Sequence, residues 1–367
     1  MSTSSLPIRP LVRFGLHLQS AAVPGRAAPS VYRDAIEQTV HAERIGFDSV
    51  WPVEQHFDAD ASLLSAPLLL LAAIAARTHR IRLGTAVLLA PLHQPVRLAE
   101  ELATLDVLSD GRVEYGLGRG MDPVHFAGYG VDPVTARDRL EALITELQRL
   151  WSRADGSSLE PAVVPRPVQH PHPPMHLAAN SPDGFALAGR LGLPVIAAMH
   201  INPRPILDEL LRTYHAARAA AGHGPARSED VSILVPVFTH HRPNELRRRL
   251  TPSVDRMGSV LRRKLALWTE RAPAGPAGDQ RRADLARLAG RFDGFGFDSM
   301  AANLAIFGTP ERVTKSLADL VDTTNAGRII CWFNPGGLVP HREVIESMDL
   351  FAGDVMAQLA GPLEQSA

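Results

Sequence analysis

Strand-length apolar runs alternate with helix-length amphipathic runs along nearly all of this chain, and few folds accommodate that order. The pattern predicts strands over 12–18, 49–53, 81–89, 113–117, 175–179, 195–199, 231–240, 301–307 and 328–333. It predicts helices over 31–45, 63–78, 95–109, 135–151, 182–191, 203–221, 310–323 and 341–359. In 135–151, Leu140, Leu143, Ile144, Leu147 and Leu150 recur at helical spacing, enough for one buried face. Apolar strands between amphipathic helices imply a parallel sheet covered on its outer side. About eight such units in a chain of 367 residues predict one α/β domain over 1–367, a (β/α)8 TIM barrel. An open doubly wound sheet fits less well, because QSAAVPGR at 19–26 carries no glycine fingerprint after the first strand.

One stretch, 242–298, departs from the repeat and is rich in charge, Ala, Gly and Pro. Placed late in a barrel on the side where ligands bind, it is expected to form a lid or extra helices, with 273–278 mobile. The net charge of −1 gives no electrostatic footprint for nucleic acid or an anionic membrane. Cys331 is the only cysteine, which excludes an intrachain disulfide and a thiolate metal cluster, and its apolar neighbours suit a buried structural thiol. Residues 1–9 lack the basic and apolar regions of a signal peptide, and the long apolar stretch 63–76 is broken by Ser65 and Pro67. A cytoplasmic protein is expected, with neither a membrane nor a nucleic acid as partner.

In a barrel, chemistry gathers at the carboxyl ends of the strands. The polar residues expected there are His17, then Glu54, Gln55, His56 and Asp58, then Arg119, then Asn180 and Ser181, then His200 and Asn202. Arg119 lies between Gly118 and Gly120 in GRVEYGLGRGMD (111–122). The glycines permit close backbone approach and the guanidinium offers paired donors to phosphate oxygens, although the same pattern also makes an ordinary turn. Ser181 before Pro182 has the form of a helix N-cap, whose free N–H groups attract an anion; simple capping is the alternative. His56 beside Glu54 and Asp58 suits either catalysis or a structural hydrogen bond. No metal site is expected. His170, His172 and His176 alternate with prolines in what reads as a loop without an acidic partner.

Four segments together resemble the bacterial luciferase-like flavin-dependent monooxygenases, most closely the long-chain aldehyde monooxygenase (luciferase α-chain) branch. They are GFDSVWPVEQHF (46–57), LGTAVLLAPLHQPVRLAEELATLDVLSDGRVEYGLGRG (83–120), LAANSPDGFALAGRLGLPV (177–195) and the region running from FGTPERV to FAGDVM (307–356). The resemblance implies a (β/α)8 barrel, a homodimer, and reduced FMN as cosubstrate at the strand ends. Arg119 and Ser181 would then bind the phosphate, and Gly118, Met121 and Asn180 would line the adjacent pocket. Ala86 and Val87 match the place of a non-prolyl cis peptide, and Met199 stands where luciferase has a tryptophan.

The chief departure is at Glu54-Gln55-His56-Phe57. Luciferase carries two adjacent histidines there; this chain has Gln55 at the first and His56 at the second, and a glutamine exchanges no proton near neutral pH. Glu54, Gln55 and His56 are therefore the catalytic candidates. His17, Trp51, Phe57, Met199, His200, Trp332 and Phe333 are candidates for an apolar substrate pocket, the aromatic ones suiting core packing as well.

The activity implied is a monooxygenase that uses O2 through a flavin hydroperoxide to oxygenate an aldehyde, a ketone or an activated carbon. A separate flavin reductase would supply the electrons. A deazaflavin-dependent hydride transferase and a non-catalytic flavin-binding subunit are the alternatives.

Overall fold

The structure, a computed structural model, describes residues 12–152, 162–272, 275–290 and 295–359. The first half of the chain runs β1 (Arg13–Leu18), α1 (Ala28–Arg44), β2 (Ser49–Pro52), α2 (Pro67–Ala75), β3 (Arg82–Leu83), β4 (Leu88–Leu89), α3 (Pro95–Leu108), β5 (Tyr115–Gly118), α4 (Pro123–Gly128) and α5 (Ala136–Ser152). The second half runs β6 (Met175–Ala179), α6 (Pro182–Arg190), β7 (Val195–Ala198), α7 (Arg204–Ala220), β8 (Val231–Thr239), α8 (Pro243–Glu270), α9 (Pro276–Gly290), α10 (Phe297–Asn303), β9 (Ile306–Gly308), α11 (Pro310–Thr324), β10 (Arg328–Trp332) and α12 (His341–Leu350).

The strands pair in the order β3-β2-β1-β10-β8-β7-β6-β5-β4, all parallel, with β9 added beside β8. The ends of that path belong to one continuous stretch of chain, and this closes the ring. On one edge the Gly84 and Ala86 amides donate to the carbonyls of Val50 (2.8 Å) and Pro52 (3.0 Å). On the other edge the Glu114 and Gly116 amides donate to the carbonyls of Leu83 and Thr85, both at 3.0 Å. With β3 and β4 taken as one stave, the sheet is the expected (β/α)8 barrel.

Two elements differ from the sequence reading. The strand expected over 81–89 is assigned in two pieces, Arg82–Leu83 and Leu88–Leu89, and the Ala86–Val87 peptide between them is cis. The strand expected over 301–307 begins in α10, which runs to Asn303: Ser299 Oγ accepts from the Gly296 amide at 2.9 Å at the start of that helix, and only Ile306–Gly308 pairs. The irregular insertion is helical, formed by α8 and α9. Of the segment expected to be mobile, 276–278 open α9, while 273 and 274 lie outside the described residues.

Trp51, Ile196, Leu234, Ile330 and Trp332 fill the barrel interior, and Cys331 is fully buried. At the amino ends of the strands the interior is ionic. Arg328, 5 % exposed, reaches Glu114 (3.1 Å) and Asp48 (3.3 Å) and lies over the Trp51 ring at 5.1 Å. His176 is in β6 rather than in a loop, and it does have an acidic partner, with its Nε2 3.0 Å from Glu114. Burial opposes the charge on Glu114, but Arg328 and His176 outweigh it and hold the carboxyl well below its usual range. Among the described residues no helix is long and apolar enough to cross a membrane.

Candidate active site

At the opposite, carboxyl end of the strands lies a cavity of about 440 Å³, the size range of small-molecule sites. The loops after β2, β4, β5, β6 and β7 and the end of β10 form its walls, and α8 crosses above it with Met257, Leu261 and Trp268 facing in. Ionic contacts clasp that roof to the barrel. Arg256 and Arg263 each reach Asp60 at 3.0 Å, Arg263 also reaches Asp58 at 2.9 Å, and Lys264 reaches Asp122 at 2.7 Å. Lys264, one of the chain's few lysines, is thus a roof-to-wall contact rather than a surface solvation group.

One end of the cavity brings together a capped helix start and arginine side chains. Ser181 caps α6: its backbone is extended (φ −138°, ψ 156°), its Oγ accepts from the Gly184 amide at 3.4 Å, and Pro182 opens the helix. The cap therefore presents the positive end of the α6 dipole to the cavity. Arg119, Asn180 and Ser181 are exposed and line this end together. Arg137 of α5 lines it as well, held by Asp183 (3.0 Å) and Glu141 (3.3 Å); the helix pattern alone marked that position only as part of an amphipathic element. The glycines flanking Arg119 are required. A Cβ on Gly118 would sit 2.6 Å from Val87 Cγ2, and Gly120 has φ +72°. Ala86, Val87, Leu89 and Met121 continue the wall inward and make it apolar.

The loop after β2 supplies a second, protonic centre. Glu54 is 4 % exposed and receives hydrogen bonds from His56 Nε2 (2.8 Å), His93 Nε2 (2.9 Å) and the Leu89 amide (2.7 Å). Burial works against its charge, but those donors prevail and draw the carboxyl down to about 2. His93 answers in the other direction: burial lowers it, yet Glu54 raises it above its ordinary value. Gln55 lines the cavity with its side-chain amide 2.9 Å from His125 Nε2. His56 does not line it. Its ring lies behind the wall, bonded to Glu54 at one nitrogen and 3.3 Å from the Tyr129 hydroxyl at the other.

The proposed substrate-pocket residues divide. His200 and Trp332 line the large cavity. His17 and Phe333 instead line a smaller one of about 230 Å³ behind it, which Trp332 also borders. Trp51 and Met199 are buried outside both. Phe57 is 63 % exposed, because its backbone turns through φ 56° and carries the ring out against Tyr129. His17 and His200 both pack against the Trp332 ring, with centroids 5.5 and 5.3 Å away. Burial pushes His17 down to about 4 and His200 to about 3, so this wall is neutral at physiological pH. His125 was missed from the sequence; it sits in the short helix α4, where nothing in the pattern sets it apart.

A parallel barrel with a cavity at the carboxyl ends of its strands and a helical roof over it has the architecture of a barrel enzyme. The chain belongs to the luciferase-like monooxygenase family, whose model matches residues 12–326.

It is 28 % identical to the oxygenase component of the flavin-dependent trigonelline monooxygenase of Acinetobacter baylyi, over 56 % of this chain and 59 % of that protein. It is 24 % identical to an alkanal monooxygenase alpha chain of Photorhabdus luminescens, over 94 % of this chain and 96 % of that one. A further relative, matched at 34 % identity, is spanned over 61 % of its length. The monooxygenase RslO1 of Streptomyces bottropensis superposes with a TM-score of 0.77 at 26 % identity, covering 95 % of this chain and 99 % of that one.

Proposed function

We propose that this chain is the oxygenase of a two-component flavin-dependent monooxygenase, taking reduced FMN from a separate reductase and using O2 to oxygenate an apolar organic substrate, an aldehyde or ketone or an activated carbon. One observation carries the reading: the α6 N-terminus, Arg119 and Arg137 line one end of a cleft whose adjoining wall (Ala86, Val87, Leu89, Met121) is apolar and whose top is roofed by α8. That arrangement suits a molecule with a phosphate at one end and a flat aromatic system at the other. The trigonelline enzyme's designation as an oxygenase component supports both the flavin and the separate electron source.

When bound, reduced FMN supplies the electrons for oxygen activation. The chain's own residues then have separate tasks. Arg119, Arg137 and the capped helix start hold the phosphate; Ala86 and Val87 offer an apolar face to the ring system. The roof keeps water from the cleft, and the neutral His200–Trp332 wall leaves it suited to an uncharged substrate. Glu54, permanently ionised, anchors the loop that carries Gln55 to the cavity. We place the protein in the cytoplasm as a homodimer; Leu69 of α2 and Leu108 of α3, 75 % and 64 % exposed on neighbouring helices, provide an apolar surface for the second copy.

The test compares anaerobic binding of reduced FMN with that of reduced riboflavin, which lacks the phosphate. FMN is expected to bind at least about thirtyfold more tightly, as charge-assisted bonds worth ~2 kcal/mol require. Arg119→Ala should remove most of that preference. Equal affinity for both ligands in the wild-type protein would overturn the assignment of the anion site.

A further inference from the structure

Gln55 stands where the resemblance places a proton-exchanging histidine, and its surroundings settle which end of its amide His125 holds. The side-chain nitrogen is 2.9 Å from His125 Nε2. Distance alone leaves two arrangements open, since a neutral imidazole nitrogen either donates or accepts and an amide can be turned end for end. A second contact resolves this. The backbone amide of His56 points at the same Nε2 at 3.4 Å, and a backbone N–H can only donate. Nε2 is therefore the acceptor and the His125 proton resides on Nδ1. The Gln55 group turned to it must be the NH2.

The charges around His125 agree. A carboxylate in hydrogen-bond contact with Nε2 would require a proton there, and the nearest is Asp122. Its Oδ2 lies 3.7 Å away, beyond hydrogen-bond range, drawn instead to Lys264 at 2.7 Å. Burial lowers the basicity of the His125 ring and favours its neutral form. The Gln55 nitrogen has a further, longer contact at 3.4 Å with the His56 carbonyl, also an acceptor. Two acceptors thus hold the NH2, while among the described residues the Gln55 carbonyl oxygen has no hydrogen-bond partner.

We propose that His125 is a positioning residue that fixes Gln55 with its carbonyl oxygen toward the cavity, so that this point of the site accepts a hydrogen bond from an O–H or N–H of the bound molecule. A luciferase-type histidine exchanges a proton at this place; the His125–Gln55 pair offers a fixed acceptor that exchanges none. The specificity consequence is direct: a bound carbonyl or carboxylate oxygen facing Gln55 meets another acceptor and is disfavoured. The consequence for the bound molecule rests on the reading of this cavity as the cofactor and substrate site, but the positioning itself is present in the protein without ligand.

Nitrogen-15 NMR of the full-length, ligand-free protein, labelled at histidine and glutamine, tests it at pH 7.5. The expected result is an unprotonated Nε2 and a protonated Nδ1 for His125. One Gln55 side-chain proton should exchange about fivefold to tenfold more slowly than in His125→Leu, the factor a single hydrogen bond supplies. His125→Gln should restore the slow exchange, because its Oε1 reaches the place of Nε2 and can accept there. A proton on Nε2, or Gln55 exchange indifferent to His125→Leu, would overturn the proposal. Should the leucine variant not fold, the wild-type tautomer decides alone. Because no flavin is present, failure here leaves the FMN assignment standing, and failure of FMN binding leaves this one standing.

Discussion

Replacing Glu54 by glutamine keeps the shape of the side chain and removes its charge, at the point where three donors converge. His56 Nε2 reaches one carboxylate oxygen, while His93 Nε2 and the Leu89 amide share the other. A glutamine has one acceptor oxygen, so its NH2 must face at least one of those N–H groups, leaving a buried donor unpaired at a cost of ~1–3 kcal/mol. The charge gives an independent measure. Holding the carboxyl at about 2 rather than 4.5 stabilises the folded state by roughly 3 kcal/mol, at 1.36 kcal/mol per pKa unit. The two routes agree, and Glu54→Gln should lower the stability of the protein by about 3 kcal/mol at pH 7 in urea unfolding.

The pH dependence has a definite sign. A depressed carboxyl contributes its full stabilisation above the unfolded value of 4.5 and loses it as pH falls toward about 2. Glu54 also raises His93, and that part of the stabilisation is present below the ordinary histidine value and is lost as pH rises through the raised one. The gap between wild type and variant should therefore be widest near pH 5–6, shrink in part toward pH 8, and narrow again below 4.5. A variant within 0.5 kcal/mol of wild type at pH 7, or a gap that widens below pH 4.5, would refute the reasoning.

Glu114→Gln should be comparably damaging at the other end of the barrel, by about 3–5 kcal/mol, since it strips the buried Arg328 of its closest carboxylate; chemical denaturation is the measurement, and a neutral outcome would show that Asp48 suffices. Asp60→Asn should do the reverse, leaving global stability within about 1 kcal/mol because its ion pairs are partly exposed. It should nevertheless speed amide exchange in the part of α8 that carries Arg256 and Arg263; unchanged exchange there would mean that apolar contacts alone hold the roof.

The barrel was legible because each strand and helix carries its own periodicity, and closure follows from the count. The Ser181-Pro182 cap was legible for the same reason, being a local signal that needs no tertiary partner. The errors fall where the backbone or a distant side chain decides. Phe57 reads as a pocket wall until a left-handed backbone turns it outward. His56 reads as either a catalytic or a structural histidine, and its contacts with Glu54 and Tyr129 could not be read from the sequence. His176 falls in the strand expected over 175–179, but its partner Glu114 across the barrel floor, 62 positions away, could not be read from the sequence. His125 had no signal at all: its importance lies in a contact with Gln55 across 70 positions of sequence.

The central claim is that the cleft holds reduced FMN for reaction with O2. Anaerobic titration with reduced FMN and, separately, reduced deazaflavin, followed by mixing each complex with oxygenated buffer, tests it most directly. Tight binding of reduced FMN, with reoxidation of the bound flavin clearly slower than that of free flavin, is the predicted result. Binding of the deazaflavin alone, or reoxidation of FMN at the rate of the free cofactor, would contradict it.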